Sequence, residues 1–443
     1  MVDGIVTKNK ILDGADMSKI LTIVMIGAGS RGKNAYGTEL LTLKDKARVV
    51  AVAEVNEERR NLAGDAHDIP QEMRFKTAEE LLAREKLADV AMICTMDRQH
   101  VGQAVAAMKK GYDLLLEKPV SPDAEELQEV VRTARETGRR VVVCHVLRYT
   151  AFFRTIKDTI DSGRLGRVVN IQALENVKYW HQAHSFVRGN WRNSDQTSSM
   201  ILQKCCHDLD YLVWLLGNKC ESVTSFGSLL YFRSENAPAG AAKRCLDGCA
   251  AKESCPYDAE KIYLTNKETG VLCGNTEWPC DVLSEHPCEE TIRKAIKEGP
   301  YGRCVFACDN NVVDNQIVNL QMESGATASL TMCAFTSGGG RHIKVMGTQG
   351  DLVGDMDDNT ITICEFGKEP EVINVAALTD DASGHAGGDR GLLLSFLDYM
   401  ETGVADSTIT TLETSVESHL VALAAEQSRL SGGMPVKIAG MRG

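Results

Sequence analysis

Three sets of residues in this chain have the types and spacing that chemistry requires. Gly27-Ala28-Gly29-Ser30-Arg31-Gly32 is a Gly-x-Gly-x-x-Gly run, which turns tightly and brings backbone N–H groups against a pyrophosphate. Glu54 lies roughly 20 residues further on, the spacing of an acid that binds adenosine ribose hydroxyls and repels a 2′-phosphate. The expected cofactor is therefore NAD rather than NADP. Lys118, between Glu117 and Pro119, is a cation held in place by its neighbours. His207 stands before an apolar run ended by Gly217, so it falls near a helix start. The positive end of the dipole there lowers imidazole basicity and favours the neutral, proton-accepting form.

The elements that must position these groups read as a βαβ series. Leu21–Ile26 and Arg48–Ala53 are unalternated apolar runs, as buried parallel strands require. A helix is expected to follow the glycine loop, its positive end toward the phosphates. Ala88–Thr95 is the next strand, and it feeds the loop Met96–His100 at the end of the sheet where ligands bind. Thr95 and His100 are expected among the cofactor contacts there, with Ser30, Arg31, Glu117 and Lys118. Asp113–Leu116 and Val141–Val146 complete a doubly wound parallel sheet over residues 1–147. Residues 148–443 form a second domain, with alternating strands at Val312–Met322 and Ala326–Phe335. A long helix spans 411–430 and is expected to pack back on the first domain.

Composition bounds the function classes. The 443 residues suit two domains, and 43% hydrophobic with 25% charged residues is ordinary for a globular protein. A net charge of −12 without a basic block argues against nucleic acid. No apolar run is long enough to span a membrane. Met1–Lys19 is polar, without a signal-peptide core, so the cytoplasm is the expected location.

Glu117-Lys118-Pro119, the glycine loop and Ile160-Asp161-Ser162-Gly163-Arg164-Leu165-Gly166 together resemble the Gfo/Idh/MocA oxidoreductases, relatives of glucose–fructose oxidoreductase and inositol dehydrogenase. The resemblance covers nearly the whole chain. It implies a Rossmann NAD-binding domain followed by a domain with an open, mostly antiparallel sheet. One face of that sheet would cover the nicotinamide, and the other would join subunits into a homo-oligomer. It also implies oxidation of a secondary hydroxyl on a sugar, sugar derivative or glycoside, with His207 as base and Lys118 stabilising the alkoxide. Many members carry Asp four residues before this His; here the position is Gln203, followed by Lys204, Cys205 and Cys206. Lys204 is read as a second cation at the reacting oxygen. NAD-dependent glycosidases of the same family offer an alternative, in which oxidation, elimination, hydration and re-reduction leave no net NADH. A non-enzymatic NAD-binding sensor is the third reading, and the presence of Lys118 and His207 opposes it.

Two further stretches are candidates. Tyr179, Trp180, His181, His184, Trp191 and Arg192 form a cluster of aromatic, imidazole and guanidinium groups in a chain with only 5% aromatics. Aromatic faces stack on pyranose rings, so substrate contact is expected, with Asp208 and His385 assisting. The loop Ser383–Asp389 could close over the site or simply connect elements. The chain has 15 cysteines, eight of them from Cys245 to Cys308. From about 233 to 303 the strand pattern is lost, which reads as an insert. Cys245, Cys249 and Cys255 with Cys308 (or Cys304) are expected to hold a structural zinc, an iron–sulfur cluster and free thiols being the alternatives.

Overall fold

The computed structural model describes residues 20–217, 219–379 and 384–442. Met1–Lys19 and Ser383, both singled out in the sequence, lie outside the described residues. The first sheet comprises Leu21–Ile26 (β1), Ala47–Ala53 (β2), Arg74–Phe75 (β3), Val90–Ile93 (β4), Asp113–Leu116 (β5) and Val141–Val143 (β6). All pair in parallel, in the order β3-β2-β1-β4-β5-β6. The order reverses between β1 and β4, and the crevice beyond their carboxyl ends is where such sheets bind ligands. β4 and β6 are shorter than their apolar runs. After β6 the chain instead winds into a tight turn at Val146–Tyr149.

The glycine loop does not lead directly into an α-helix. Ser30–Gly37 coils as a wide π-type helix before a short α-helix at Thr38–Thr42. Gly32 is required by packing, because a Cβ there would lie 2.0 Å from the Gly27 carbonyl oxygen. Gly27 has φ +90°, open to glycine at no steric cost.

The second sheet is built from Val168–Lys178 (β7), Cys220–Ser228 (β8), Asn315–Met322 (β9), Thr327–Thr336 (β10), Arg341–Gly347 (β11), Gly350–Asp355 (β12), Thr360–Glu365 (β13), Glu371–Asn374 (β14) and Val436–Lys437 (β15). Its order is β14-β13-β12-β11-β7-β10-β9-β8-β15. β7 and β10 run parallel and the other described pairs antiparallel. The alternation in the sequence sets its two faces. Ile171, Ala173, Val318, Leu320, Leu330 and Met332 are buried, each large side chain contributing roughly 1.5–3 kcal/mol. The helices Cys206–Leu216 and Leu412–Leu430 join the same core. Leu412–Leu430 also reaches the first domain, where His419 Nε2 accepts a hydrogen bond from the Val120 N–H at 2.9 Å. No helix among the described residues is long and apolar enough to cross a membrane.

The insert fills the connection from β8 to β9, residues 229–314, and so begins earlier and ends later than the loss of strand pattern suggests. It has its own core, including Phe232, Tyr257, Tyr263, Ile292, Ile296 and Tyr301. It also lies against the cofactor domain. Glu285 pairs with Lys33 (2.5 Å) and Arg59 (2.6 Å), and Asn34 donates to Asp281 (2.8 Å).

The zinc expectation is corrected by this geometry. Among the described residues, no three His, Cys, Asp or Glu side chains are grouped so that they could hold a metal ion. A tetrahedral zinc with Zn–S near 2.3 Å needs its thiolates only about 3.8 Å apart. Cys308 is also turned aside, its thiol donating to the Cys304 carbonyl at 3.3 Å.

Candidate active site

The nucleotide cradle is assembled from β1, β2 and the loop between them. A Cβ built on Gly29 meets no protein atom within 4 Å, so the backbone there faces open space, as close approach of a pyrophosphate requires. Glu54, at the end of β2, accepts hydrogen bonds from the Ala28 N–H (2.8 Å) and the Asn56 N–H (2.9 Å). Its carboxylate is thereby fixed beside the glycine loop, with lone pairs left over for two ribose hydroxyls. These residues fit NAD.

Arg31 connects this cradle to the rest of the site. Its guanidinium donates to Glu117 (2.9 Å) and, through two nitrogens, to Asp389 (3.1 and 2.6 Å). Tyr36 also donates to Glu117, at 2.8 Å. Burial would raise the Glu117 carboxyl, but Arg31, Lys118 and these hydrogen bonds outweigh it and hold the group below its ordinary range. Glu117 in turn accepts from the Lys118 N–H at 2.9 Å. The Lys118–Pro119 peptide is cis.

Lys118 then points across to the second domain, where Nζ donates to the Gln203 carbonyl at 2.9 Å. Two N–H donors of the ammonium remain for a ligand. His207 occupies the first turn of Cys206–Leu216. Its Nδ1 is buried without a hydrogen-bond partner. The His207 ring lies 5.8 Å from that of His145 and 6.2 Å from that of His385. Burial, then the charge of Lys118, hold His207 well below the usual histidine range, so it is neutral at pH 7. His385 donates or accepts at 3.1 Å with Asp389, and it and Ala386 adopt positive φ. The described part of that loop therefore stands over the site rather than apart from it.

Several candidates have structural duties instead. Lys204 is drawn away to Glu175, Nζ to Oε1 at 2.7 Å. Asp208 accepts two hydrogen bonds from Arg341, which also pairs with Glu175 at 2.8 Å. His100 is clamped between the Pro119 and Thr95 carbonyls, at 2.8 and 3.1 Å, and braces the loop after β4. Thr95 is tied to Gln103 (2.6 Å). In the aromatic cluster, His184 bonds the Tyr263 hydroxyl and stacks on Tyr301, inside the insert core. Trp180 is buried against Trp278, Tyr179 packs on Tyr257, and Trp191 packs against the main core. Arg192 pairs with Asp309 at 2.7 Å. His181 packs on Phe186 and Trp278, and burial, then the charge of Lys204, holds it well below the ordinary histidine range.

Asp97 was not foreseen. It is buried in the loop after β4 and accepts from Ser198 Oγ (2.5 Å) and Gln203 Nε2 (3.1 Å). The loop position Met96–His100 was the available signal, but nothing local shows which of its residues turns inward. Trp278 of the insert was also missed; its ring is 4.8 Å from that of His181.

Burial is the main cause that holds His145, His181, His184, His207 and His419 below the ordinary histidine range. Unfolding lets each take up a proton below about pH 6.5, so stability present above that pH is lost as pH falls. The loss reaches up to about 1.4 kcal/mol per pH unit for each histidine. The unfolding midpoint should therefore decline steadily from about pH 7 to pH 5. A flat profile in calorimetry would show that these rings are not buried neutral.

Comparison with known proteins follows the same division. Residues 21–145 match the family described as oxidoreductases with an NAD-binding Rossmann fold, and residues 157–438 match its C-terminal alpha/beta domain. The chain belongs to the Gfo/Idh/MocA oxidoreductase family. Within the family it is similar to the oxidoreductase YteT of Bacillus subtilis, 23% identical over 70% of this chain and 72% of that one. It is 29% identical to an inositol 2-dehydrogenase of Streptomyces avermitilis, over 47% of this chain and 57% of the relative. A 2,7-anhydro-N-acetylneuraminate hydratase of Mediterraneibacter gnavus is 25% identical over 47% of this chain and 54% of its own. The match thus spans little more than half of these last two. Among solved structures, an Agrobacterium radiobacter oxidoreductase with NAD+, L-tartaric acid and magnesium shares the fold, with TM-score 0.68 and 14% identity. That match covers 96% of this chain and all of the other. The family's Rossmann domain binds NAD, and the open cradle at Gly29 is the corresponding feature here.

Proposed function

We propose that this protein uses NAD to oxidise a secondary hydroxyl of a sugar, sugar derivative or glycoside. The observation that carries the proposal is the pairing of Lys118 with the Gln203 carbonyl across the domains, next to a neutral His207. When bound, NAD accepts the hydride that leaves the carbinol carbon. Gly27, Gly29 and Gly32 would hold its pyrophosphate and Glu54 its ribose. The remaining N–H groups of Lys118 would bind the substrate oxygen and stabilise the negative charge that develops on it. His207 would take the hydroxyl proton, its imidazole being neutral and its Nδ1 unpaired. Arg31 links the nucleotide cradle to Asp389 and so to His385. The inositol dehydrogenase among the relatives supports a polyhydroxylated ring as substrate.

The redox-neutral reading has its own support. His385 places an additional imidazole beside His207, as extra proton transfers would need. One relative is named a hydratase of an anhydro sugar. Mixing the protein with NAD and glycosides, and following NADH and freed aglycone together, separates the two reactions. NADH with a keto product marks net oxidation; aglycone without NADH marks cleavage. Neither product from any glycoside or free sugar would overturn both.

Cofactor choice is tested separately. Glu54→Ala should weaken NAD binding by about 1.5–3 kcal/mol, roughly tenfold or more, and narrow the preference over NADP. Unchanged affinity in calorimetry would remove Glu54 from the ribose. The outer face of the second sheet exposes Leu174, Phe226, Ile317 and Val353, which supports pairing with a second copy of this chain. Light scattering should then give a mass above that of one chain.

A further inference from the structure

The cysteines of the insert are left unexplained by the reaction and by a single zinc ion. Cys245, Cys249, Cys255 and Cys304 nevertheless line one small cavity, together with Arg188. Two of them are placed by backbone pairing. Arg244 and Arg303 form an antiparallel bridge; the Cys245 N–H donates to Gly302 and the Cys304 N–H to Lys243, both at 2.9 Å. Cys245 and Cys304 therefore stand on the same face, diagonally across two strands, about 7–8 Å apart. A disulfide needs Cβ atoms about 3.5–4.5 Å apart, so the pair is too wide to oxidise to one.

Arg188 supplies an independent observation. It is 1% exposed, and among the described residues its guanidinium forms no ion pair, although the buried Asp258 lines the same cavity. Nε donates to the Arg303 carbonyl (2.7 Å) and Nη2 to the Tyr257 carbonyl (2.6 Å), while Nη2 also lies 3.6 Å from Cys245 Sγ. Among the described residues, Nη1 is buried with no hydrogen-bond partner. A buried guanidinium without a counter-charge is costly, because removing it from water is repaid only by a matching anion and filled hydrogen bonds. The cavity that Arg188 lines is thus built for something negative.

We propose that Cys245, Cys249, Cys255 and Cys304 ligate a cubane [4Fe–4S] cluster, with Arg188 as its buried counter-ion. A cubane takes one thiolate at each iron, so its ligands stand further apart than those of a single ion. Four thiolates on such a cluster carry a net negative charge, which Arg188 offsets. The cluster would join the Cys245–Cys255 segment to the Cys304 strand and so brace the insert. The same insert carries Trp278 to the site and Glu285 to the nucleotide cradle.

The test is the metal content of the full-length protein isolated without oxygen, and again after reconstitution with ferrous iron and sulfide. About four irons and four acid-labile sulfides per chain are expected, with a broad visible band that bleaches on reduction. Cys249→Ser and Cys304→Ser should each lose at least half of the iron. Cys308→Ser and Cys273→Ser, outside the cavity, should retain it. Should the ligand variants fail to fold, the iron and sulfide content of the unaltered protein decides alone. Stoichiometric zinc, two irons per chain, no iron after reconstitution, or loss of iron from Cys308→Ser but not Cys304→Ser would overturn the proposal.

Discussion

Replacing Lys118 with alanine is expected to lower turnover by about 10²–10⁴-fold, the range for one oxyanion donor or one proton-transfer group. NAD binding should change little. The reason lies in what Lys118 touches. Among the described residues, its Nζ has one hydrogen-bond partner, the Gln203 carbonyl at 2.9 Å, and forms no ion pair with a carboxylate. Truncation leaves the buried Glu117 with Arg31 as its counter-charge at 2.9 Å, and the cradle of Gly27, Gly29, Gly32 and Glu54 is untouched. A second signature separates this role from simple scaffolding. After burial, the charge of Lys118 is the largest cause of the low basicity of His207. In Lys118→Ala the His207 imidazole should recover toward its ordinary range, so the acid limb of the pH–rate profile should move to higher pH. Full turnover in the variant, or an unmoved acid limb beside reduced turnover, would remove Lys118 from the reaction centre.

The largest effect on stability is expected at Arg341. Its guanidinium holds Asp208 at 2.7 Å and Glu175 at 2.8 Å, and both carboxyls are almost wholly buried. Burial pushes the Asp208 carboxyl upward, and Arg341 opposes this. Arg341→Met leaves two acids with Lys204 as their remaining cation, 2.7 Å from Glu175. Breaking a buried pair in this way costs about 3–5 kcal/mol. The pH dependence gives the mechanism away. Without Arg341 the folded-state carboxyls bind protons more readily than unfolded ones. Their penalty is then small below the unfolded range near pH 4 and grows as pH rises toward neutrality. Denaturant melts should show the variant closest to the parent at low pH and furthest from it near pH 7. An equal loss at all pH values would mean that lost packing, not stranded charge, is responsible.

How much of this was legible in the chain depends on the range of the interaction. β1, the glycine loop and Glu54 form one local unit, and their order alone specifies a nucleotide cradle. The alternation of Asn315–Met322 likewise specified a sheet with one buried face. Pairings between distant residues were not legible. Arg31 and Asp389 are 358 positions apart, and neither position carries a local signal of the other. Lys204 shows the converse error. Beside His207 it reads as a second cation, yet in three dimensions the buried Glu175 of β7 claims it. The aromatic cluster misled for a related reason. Trp180 and His184 pack on side chains of the insert, whose placement no periodicity reveals. The cysteines could be grouped from their crowding, but the choice of Cys304 over Cys308 rests on the strand pairing beside Arg303.

The most direct measurement follows NAD reduction and product release together, across a panel of cyclitols, pyranoses, uronates and aryl glycosides. The unaltered protein and Lys118→Ala would be compared side by side. At least one member should be turned over only with NAD present, and Lys118→Ala should lose this turnover while still binding NAD. Turnover that persists without NAD, or at an undiminished rate in Lys118→Ala, would contradict this, as would the absence of turnover across the panel by protein with NAD bound.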